Sequence, residues 1–392
     1  MRKITADFIF PISSPPLKNG VLLLEDDGCI VGVFEEAAFE NTTLEVYKGI
    51  VCPGFVNTHC HLELSHLEGK LLPHQGLDAF IKDVVKLNQE TEEAAMEKAE
   101  KNMIEQGIVA VGDISNGPAS FELKNKGNLR YHTFIEVLGF HPDKAVGAFD
   151  RAQQLYQDLK NKLPKGHGVS ISPHAPYSAS IKLLEKIGAF AKLHGGPLTI
   201  HNQENEEENK LFQKKEGRIL ERFKDFGIDV SAWEPTGMNS LMSSLQYLPS
   251  EVPLQLVHNT VTNAEDIRQA MHFHKNLFWC FCPGANLYIE NRLPDFDLFI
   301  KAKGQITIGT DSLASNTFLS ILEELKIISF KAPLIALETL LKWATLNGAA
   351  FLGFEKELGS FEKGKKPGVN LIENLLPDTY CLGAQSSVRK LV

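Results

Sequence analysis

Residues 55–66 read FVNTHCHLELSH and follow Pro53-Gly54. Along a strand, residues two apart point to the same face. His59 and His61 therefore share a face, and Cys60 between them points the other way. Two imidazoles on one side of a buried strand are either satisfied core histidines or half of a metal site. The rest of the chain must hold the other half if the second reading is right.

Seven further apolar runs extend the pattern: GIVAVGDIS (107–115), YHTFIEVLGF (131–140), GVSISPH (168–174), PLTIHNQE (197–204), PLQLVHN (253–259), LFWCFCP (277–283) and QITIGTDS (305–312). Helical stretches such as LDAFIKDVVKLNQETEEAAMEKAEKNMIEQG and IKLLEKIGAFAKLHG lie between them. Near-continuous apolar strands alternating with helices predict a parallel sheet covered on both faces. Eight such units predict the α/β class and a (β/α)8 TIM-like barrel over residues 51–355. Residues 1–50 and 356–392 hold short strands and turns instead. The termini of one domain often lie together, so both ends are expected to build one small β-sandwich domain.

In barrel enzymes the chemistry sits where the strands end. The strand-end residues here are His59 and His61, then His174, His201 with Glu204 behind it, His258 and Asp311. Neutral imidazole and carboxylate suit Zn²⁺ or Fe²⁺, with one position kept for water. His59, His61, His201 and Asp311 are the expected ligands. A lone buried histidine is more often structural, but several at strand ends with an aspartate at the eighth weigh against coincidence. His174, Arg218 and Trp233 are candidate substrate contacts. For His174 a loop cap, and for Trp233 plain packing, are the competing readings.

The ordered segments PGFVNTHCHLE, SPHAPYS, HNQE, LVHN, CPGANLYI, IGTDSLASN, LNGAAFLGF and GSFEKGKKPG resemble the amidohydrolase superfamily. The branch is that of adenosine-type, guanine and cytosine deaminases and triazine hydrolases. The resemblance implies one divalent metal ion per chain, Zn²⁺ ahead of Fe²⁺, at the four ligands above. It also implies catalytic roles for Glu204, His258 and Asp311. The metal readies a water to attack a ring carbon carrying an amino group, and Asp311 takes the water's proton and passes it to ammonia. Glu204 protonates the ring nitrogen, and His258 holds the attacking oxygen in line. Asn286 and Ser315 are read as loop-orienting residues. Dinuclear relatives carry a lysine at the end of strand four, and GVSISPH has none. The family's closing motif usually has an acid where this chain has Gly368.

The expected activity is deamination of an aminated purine, nucleoside or related heterocycle. The alternatives are amide-ring hydrolysis or triazine dechlorination on the same site, and a non-catalytic metal-binding scaffold. A different zinc-deaminase class carries the combined signature H-x-E…P-C-x-x-C, which is absent here because no P-C-x-x-C occurs.

The chain has 392 residues, 43% hydrophobic and 23% charged, with 49 acids against 40 bases. A formal charge of −9 argues against nucleic acid as a partner. No run reaches the roughly 20 apolar residues of a membrane span, and no signal peptide is visible. A cytoplasmic enzyme for a small heterocycle is expected, and the sequence is compatible with a homodimer. The six cysteines are expected to be reduced and buried. Residues 205–253 are long for one βα connection and are expected to cap the site. Their acidic start, ENEEEN, reads first as a solvated helix face.

Overall fold

The computed structural model describes all residues except 40–41, 89–90 and 377–379. The eight apolar runs form eight parallel strands. They are β1 (Phe55–Cys60), β2 (Ile108–Ser115), β3 (Arg130–Val137), β4 (Gly168–Pro173), β5 (Leu198–Asn202), β6 (Leu254–His258), β7 (Leu277–Phe281) and β8 (Gln305–Ile308). They lie in two four-stranded sheets, β4-β3-β2-β1 and β5-β6-β7-β8. Every residue of β1, β5, β6 and β7 is buried, which explains why these runs are apolar without alternation. Fully burying one Val, Leu or Ile side chain contributes about 1.5–3 kcal/mol.

The sheet edges meet through backbone hydrogen bonds. The Thr310 and Asp311 N–H groups donate to the His59 carbonyl, each at 3.0 Å. A single parallel bridge pairs Cys60 with Asp311. At the other edges, the His201 N–H donates to the His174 carbonyl at 2.9 Å. Gly309 permits the first approach. A Cβ there would stand 2.7 Å from the His59 Cβ and 3.0 Å from the Cys280 and Cys282 sulfurs.

The helical stretches form as their periodicity predicts. Leu77–Leu87, here α1, and Glu93–Glu105 flank residues outside the described set. Ile181–His194 begins where the Ser180 side chain accepts the Leu183 N–H. Within residues 205–253 lie α2 (Glu206–Lys214), α3 (Arg218–Asp225) and α4 (Ser240–Leu245). Leu211, Phe212, Ile219, Phe223 and Val230 from this segment share an apolar cluster with Leu77, Phe140, Ala175, Tyr177 and Ile289. The acidic run is not simply solvated: Glu204, Glu207 and Glu208 are buried, and only Glu206 of its four acids is exposed.

The chain ends contribute two more sheets. Residues 369–373 pair antiparallel with 50–53, Leu371 facing Val51, and with 387–390. Residues 2–5 pair with 21–24 and with 45–46. Both sheets feed one cluster that includes Ile4, Ile9, Leu22, Val51 and Leu371. Residues 51–53, placed with the barrel from sequence, thus pair with the end-built strands. Cys52, Cys60, Cys280 and Cys282 are buried, whereas Cys29 is partly and Cys381 fully on the surface, contrary to the uniform burial expected. Among the described residues, no helix is long and apolar enough to cross a membrane.

Candidate active site

His59 and His61 leave β1 at one end of the sheets. Their Nε2 atoms stand 3.2 Å apart, and the His61 Nε2 is 3.3 Å from that of His201 at the end of β5. The Asp311 Oδ1 lies 3.5 Å from the His59 Nε2 and 3.3 Å from the His61 Nε2. One ligand atom from each of the four residues falls within 4.8 Å of every other. A tetrahedral ion with bonds of about 2.0–2.1 Å sets its ligands about 3.3 Å apart, so the donor set fits a zinc-like cation.

The tautomers agree with that fit. The His201 backbone N–H and Nδ1 both point at the His174 carbonyl, Nδ1 at 2.8 Å. A ring donating from Nδ1 presents a bare lone pair at Nε2. Burial pushes the His61 imidazole down to about 3, against the pull of Asp311, and holds His201 well below its ordinary value. Neutral imidazoles are the ligating form. Burial alone would raise Asp311, but the hydrogen bond from His59 and the charges of His61 and His258 hold it well below the usual carboxylate range. Its Oδ2 accepts from the Ser315 hydroxyl at 2.5 Å. Asp311 has a left-handed backbone, φ 57°, reached just after β8 ends.

His258 and Glu204 face the same space. The Asn286 Nδ2 donates to the His258 carbonyl and the Thr260 hydroxyl, so its Oδ1 is free to accept from the His258 Nδ1, 2.9 Å away. The His258 Nε2 lone pair then lies 3.9 Å from the Glu204 Oε1. Burial, with Asp311 and Glu290 nearby, pushes the Glu204 carboxyl well above its ordinary value. Two carboxyl groups at one site are thereby driven apart, Asp311 ionised and Glu204 protonated.

The three candidate substrate contacts separate. His174 shares the Ser178 hydroxyl at 2.8 Å from its Nδ1, and its ring centroid is 4.7 Å from that of His201. Arg218 lines a cavity of about 260 Å³ together with Glu204, Asn205, Glu290 and Arg292, and its Nη1 pairs with Asp78 at 3.2 Å. Trp233 packs against Phe140 and Phe212, ring centroids 5.5 and 5.7 Å away, and is not among the residues lining that cavity.

Sequence reading missed two groups. Glu136, at the end of β3, places its Oε1 3.8 Å from the His201 Nδ1, and its other oxygen accepts from Asn116 at 2.7 Å. Burial lifts its carboxyl to about 7. Asp113, at the end of β2, accepts the Leu62 N–H at 2.8 Å and pairs with the wholly buried Lys124 at 2.6 Å. The available signal was an acid near the end of an otherwise apolar run, in YHTFIEVLGF and GIVAVGDIS.

The model of the Amidohydrolase family matches residues 50–388. The aminodeoxyfutalosine deaminase of a Nitratiruptor species is 26% identical over 336 residues, 83% of this chain and 79% of that one. The fold is similar to that of Helicobacter pylori aminofutalosine deaminase in complex with methylthio-coformycin, with a TM-score of 0.82, 20% identity and coverage of 97% and 94% of the two chains. It is also similar to that of a Xanthomonas campestris adenosine deaminase with bound zinc, with a TM-score of 0.73, 20% identity and coverage of 94% and 84%.

Proposed function

The chain belongs to the amidohydrolase family, and we propose that it is a mononuclear, metal-dependent aminohydrolase that releases ammonia from an aminated purine nucleoside. The observation that carries this reading is the convergence of three imidazole nitrogens and the Asp311 carboxylate, with Glu204 and His258 facing the same space. The relatives named for deamination of purine-type nucleosides support the substrate class.

His59, His61, His201 and Asp311 would hold the ion, with zinc favoured by the donor set and by the zinc-bound neighbour. When bound, such an ion lowers the pKa of water and makes it a nucleophile near neutral pH. The protein residues handle the protons. Asp311, ionised, accepts one from the attacking water and passes it to the departing amine. Glu204, protonated, donates to the ring nitrogen beside the reacting carbon. His258, its Nδ1–H engaged by Asn286, offers Nε2 to the attacking oxygen. As the bond to the amine breaks, the attacking oxygen gives its remaining proton back to Glu204, which leaves a ring carbonyl, a protonated ring nitrogen and ammonia.

The eight strands are read as one closed barrel, supported by the backbone bonds to the His59 and His174 carbonyls. Residues 1–50 and 356–392 are read as one β-sandwich domain, supported by their shared cluster. Arg218 and His174 are read as substrate contacts, residues 205–253 as the site's cover, and the cytoplasm as the setting. The test is ammonia release by zinc-loaded protein from a panel of adenosine-type nucleosides, purine bases and chlorotriazines. Turnover of a nucleoside is expected. Metal-loaded protein that releases chloride from a triazine, and no ammonia from any aminated purine, overturns the reading.

A further inference from the structure

Glu208 has no ion-pair partner among the described residues, yet it is wholly buried in the first turn of α2. Burial pushes its carboxyl up to about 8, and hydrogen bonds from the backbone oppose that shift by favouring the ionised form. Those bonds come from the turn that carries Glu204. The Glu204 N–H donates to Glu208 Oε1 at 2.7 Å, and the Gln203 N–H donates to Oε2 at 3.1 Å. At the start of α4, the Ser240 N–H and hydroxyl donate instead to the neighbouring Asn209 Oδ1, at 3.1 and 3.3 Å.

The turn needs such an acceptor. Gln203 lies in the left-handed region at φ 43°, so the chain leaves β5 abruptly. Its N–H and that of Glu204 have no backbone partner among the described residues. A carboxylate offers two acceptor oxygens to two converging donors, whereas an amide of the same shape offers one acceptor and one donor. The other anchors hold the neighbours of Glu204. Gln203 is tied to Thr262 at 2.7 Å and Asp266 at 3.0 Å, and Asn205 to Glu290 at 3.1 Å. Among the described residues, only Glu208 grips the Glu204 backbone itself through a side chain.

We propose that Glu208 is a positioning residue that fixes the Glu204 backbone, and with it the direction of the Glu204 carboxyl. The inference rests on Glu204 being the proton donor. Small misplacements of a catalytic group are expensive: about 1 Å can cost about 10²-fold.

The experiment compares zinc-loaded wild type, Glu208→Gln, Glu204→Gln and the double variant in steady-state kinetics, with metal content and melting temperature measured on each. Glu208→Gln is expected to lower kcat by about 10- to 100-fold, with KM within about threefold and metal content unchanged. In the Glu204→Gln background the same change is expected to cost less than about twofold, because the two act as a unit. Wild-type kcat in Glu208→Gln, or an equal loss in both backgrounds, overturns the inference and leaves the proton-donor reading intact. Wild-type turnover by Glu204→Gln overturns that reading itself. Should Glu208→Gln fail to fold, Glu208→Asp, which keeps the acid but shortens its reach to the two N–H groups, replaces it in the same cycle. A kcat loss of about two- to tenfold that vanishes in the Glu204→Gln background then supports the inference, and no loss overturns it.

Discussion

The Ser315 hydroxyl lies 2.5 Å from the Asp311 Oδ2, while the other oxygen of the same carboxylate faces His59 and His61. The carboxylate proposed as a metal ligand is thus aimed by a neighbour four residues on. Partners of this kind typically account for about 10- to 100-fold in metal affinity. Ser315→Ala is therefore expected to release metal to a chelator at about 10- to 100-fold lower competitor strength, with the fold kept. Wild-type protein is expected to carry about one divalent ion per chain. Stripping that ion should abolish turnover and lower the melting temperature, since a ligand at 100 times its Kd stabilises by about 2.7 kcal/mol. Elemental analysis that finds no metal in active protein contradicts this.

Glu204→Gln keeps shape and removes the proton. It should retain full metal content and lose about 10²–10⁴-fold in kcat. Near-normal turnover on the true substrate would move the acid role elsewhere, with Glu136 the first residue to examine.

Arg218 and Trp233 should separate in mutagenesis. Arg218 lines the cavity beside Glu204, so Arg218→Ala is expected to change relative efficiencies across the nucleoside panel. Trp233 is half-buried between Phe140 and Phe212. Trp233→Ala should cost about 2 kcal/mol of stability, below the ~3–5 kcal/mol of a fully buried aromatic, with substrate ranking unchanged. Reversed outcomes in a kinetic panel and denaturant titration would exchange the two roles.

His132 provides a pH signature away from the metal ligands. The Ser170 hydroxyl donates to the Pro197 carbonyl at 2.8 Å and can accept from the His132 Nε2 at 3.0 Å. Burial lowers the His132 imidazole from 6.5 to about 3. A folded value below the unfolded one means that the unfolded chain binds the proton first. Stability is thus fully present above the unfolded value and drains as pH falls from 6.5 towards about 3. Between about pH 7.5 and 5.5 this group alone should cost about 1.4 kcal/mol. Denaturant unfolding of wild type and His132→Gln at both pH values checks it: the variant's loss should be smaller by about that amount. Equal losses would remove His132 from the account.

The strands and most of the site were legible because their signals are local. Eight apolar runs are bounded by Gly, Pro, Asn or a charge, and each forms a strand near its expected bounds. His59 and His61 share a face because a strand alternates. The family motifs added the order in which His201, Glu204, His258 and Asp311 occur. The pairing of residues 50–53 was not legible locally, because their hydrogen-bonding partner, residues 369–372, arrives from the far end of the chain.

Other features depend on partners that no local window contains. The Asn57 Oδ1 accepts the Thr310 N–H across 253 positions, in the contact that brings Asp311 to the histidines. The ring nitrogens available to metal follow from the His174 carbonyl and Asn286, not from the histidines themselves. ENEEEN has the composition of a solvated helix face, but Glu208 within it is buried against the Gln203–Glu204 turn and α4. Trp233 and Arg218 looked alike as candidates until packing put one among phenylalanines and the other beside a cavity. The amino-acid sequence determined which side chains exist and on which strand face they stand. Only the tertiary structure decided which are deprived of water and by what, and that deprivation sets protonation, tautomer and hence chemical role.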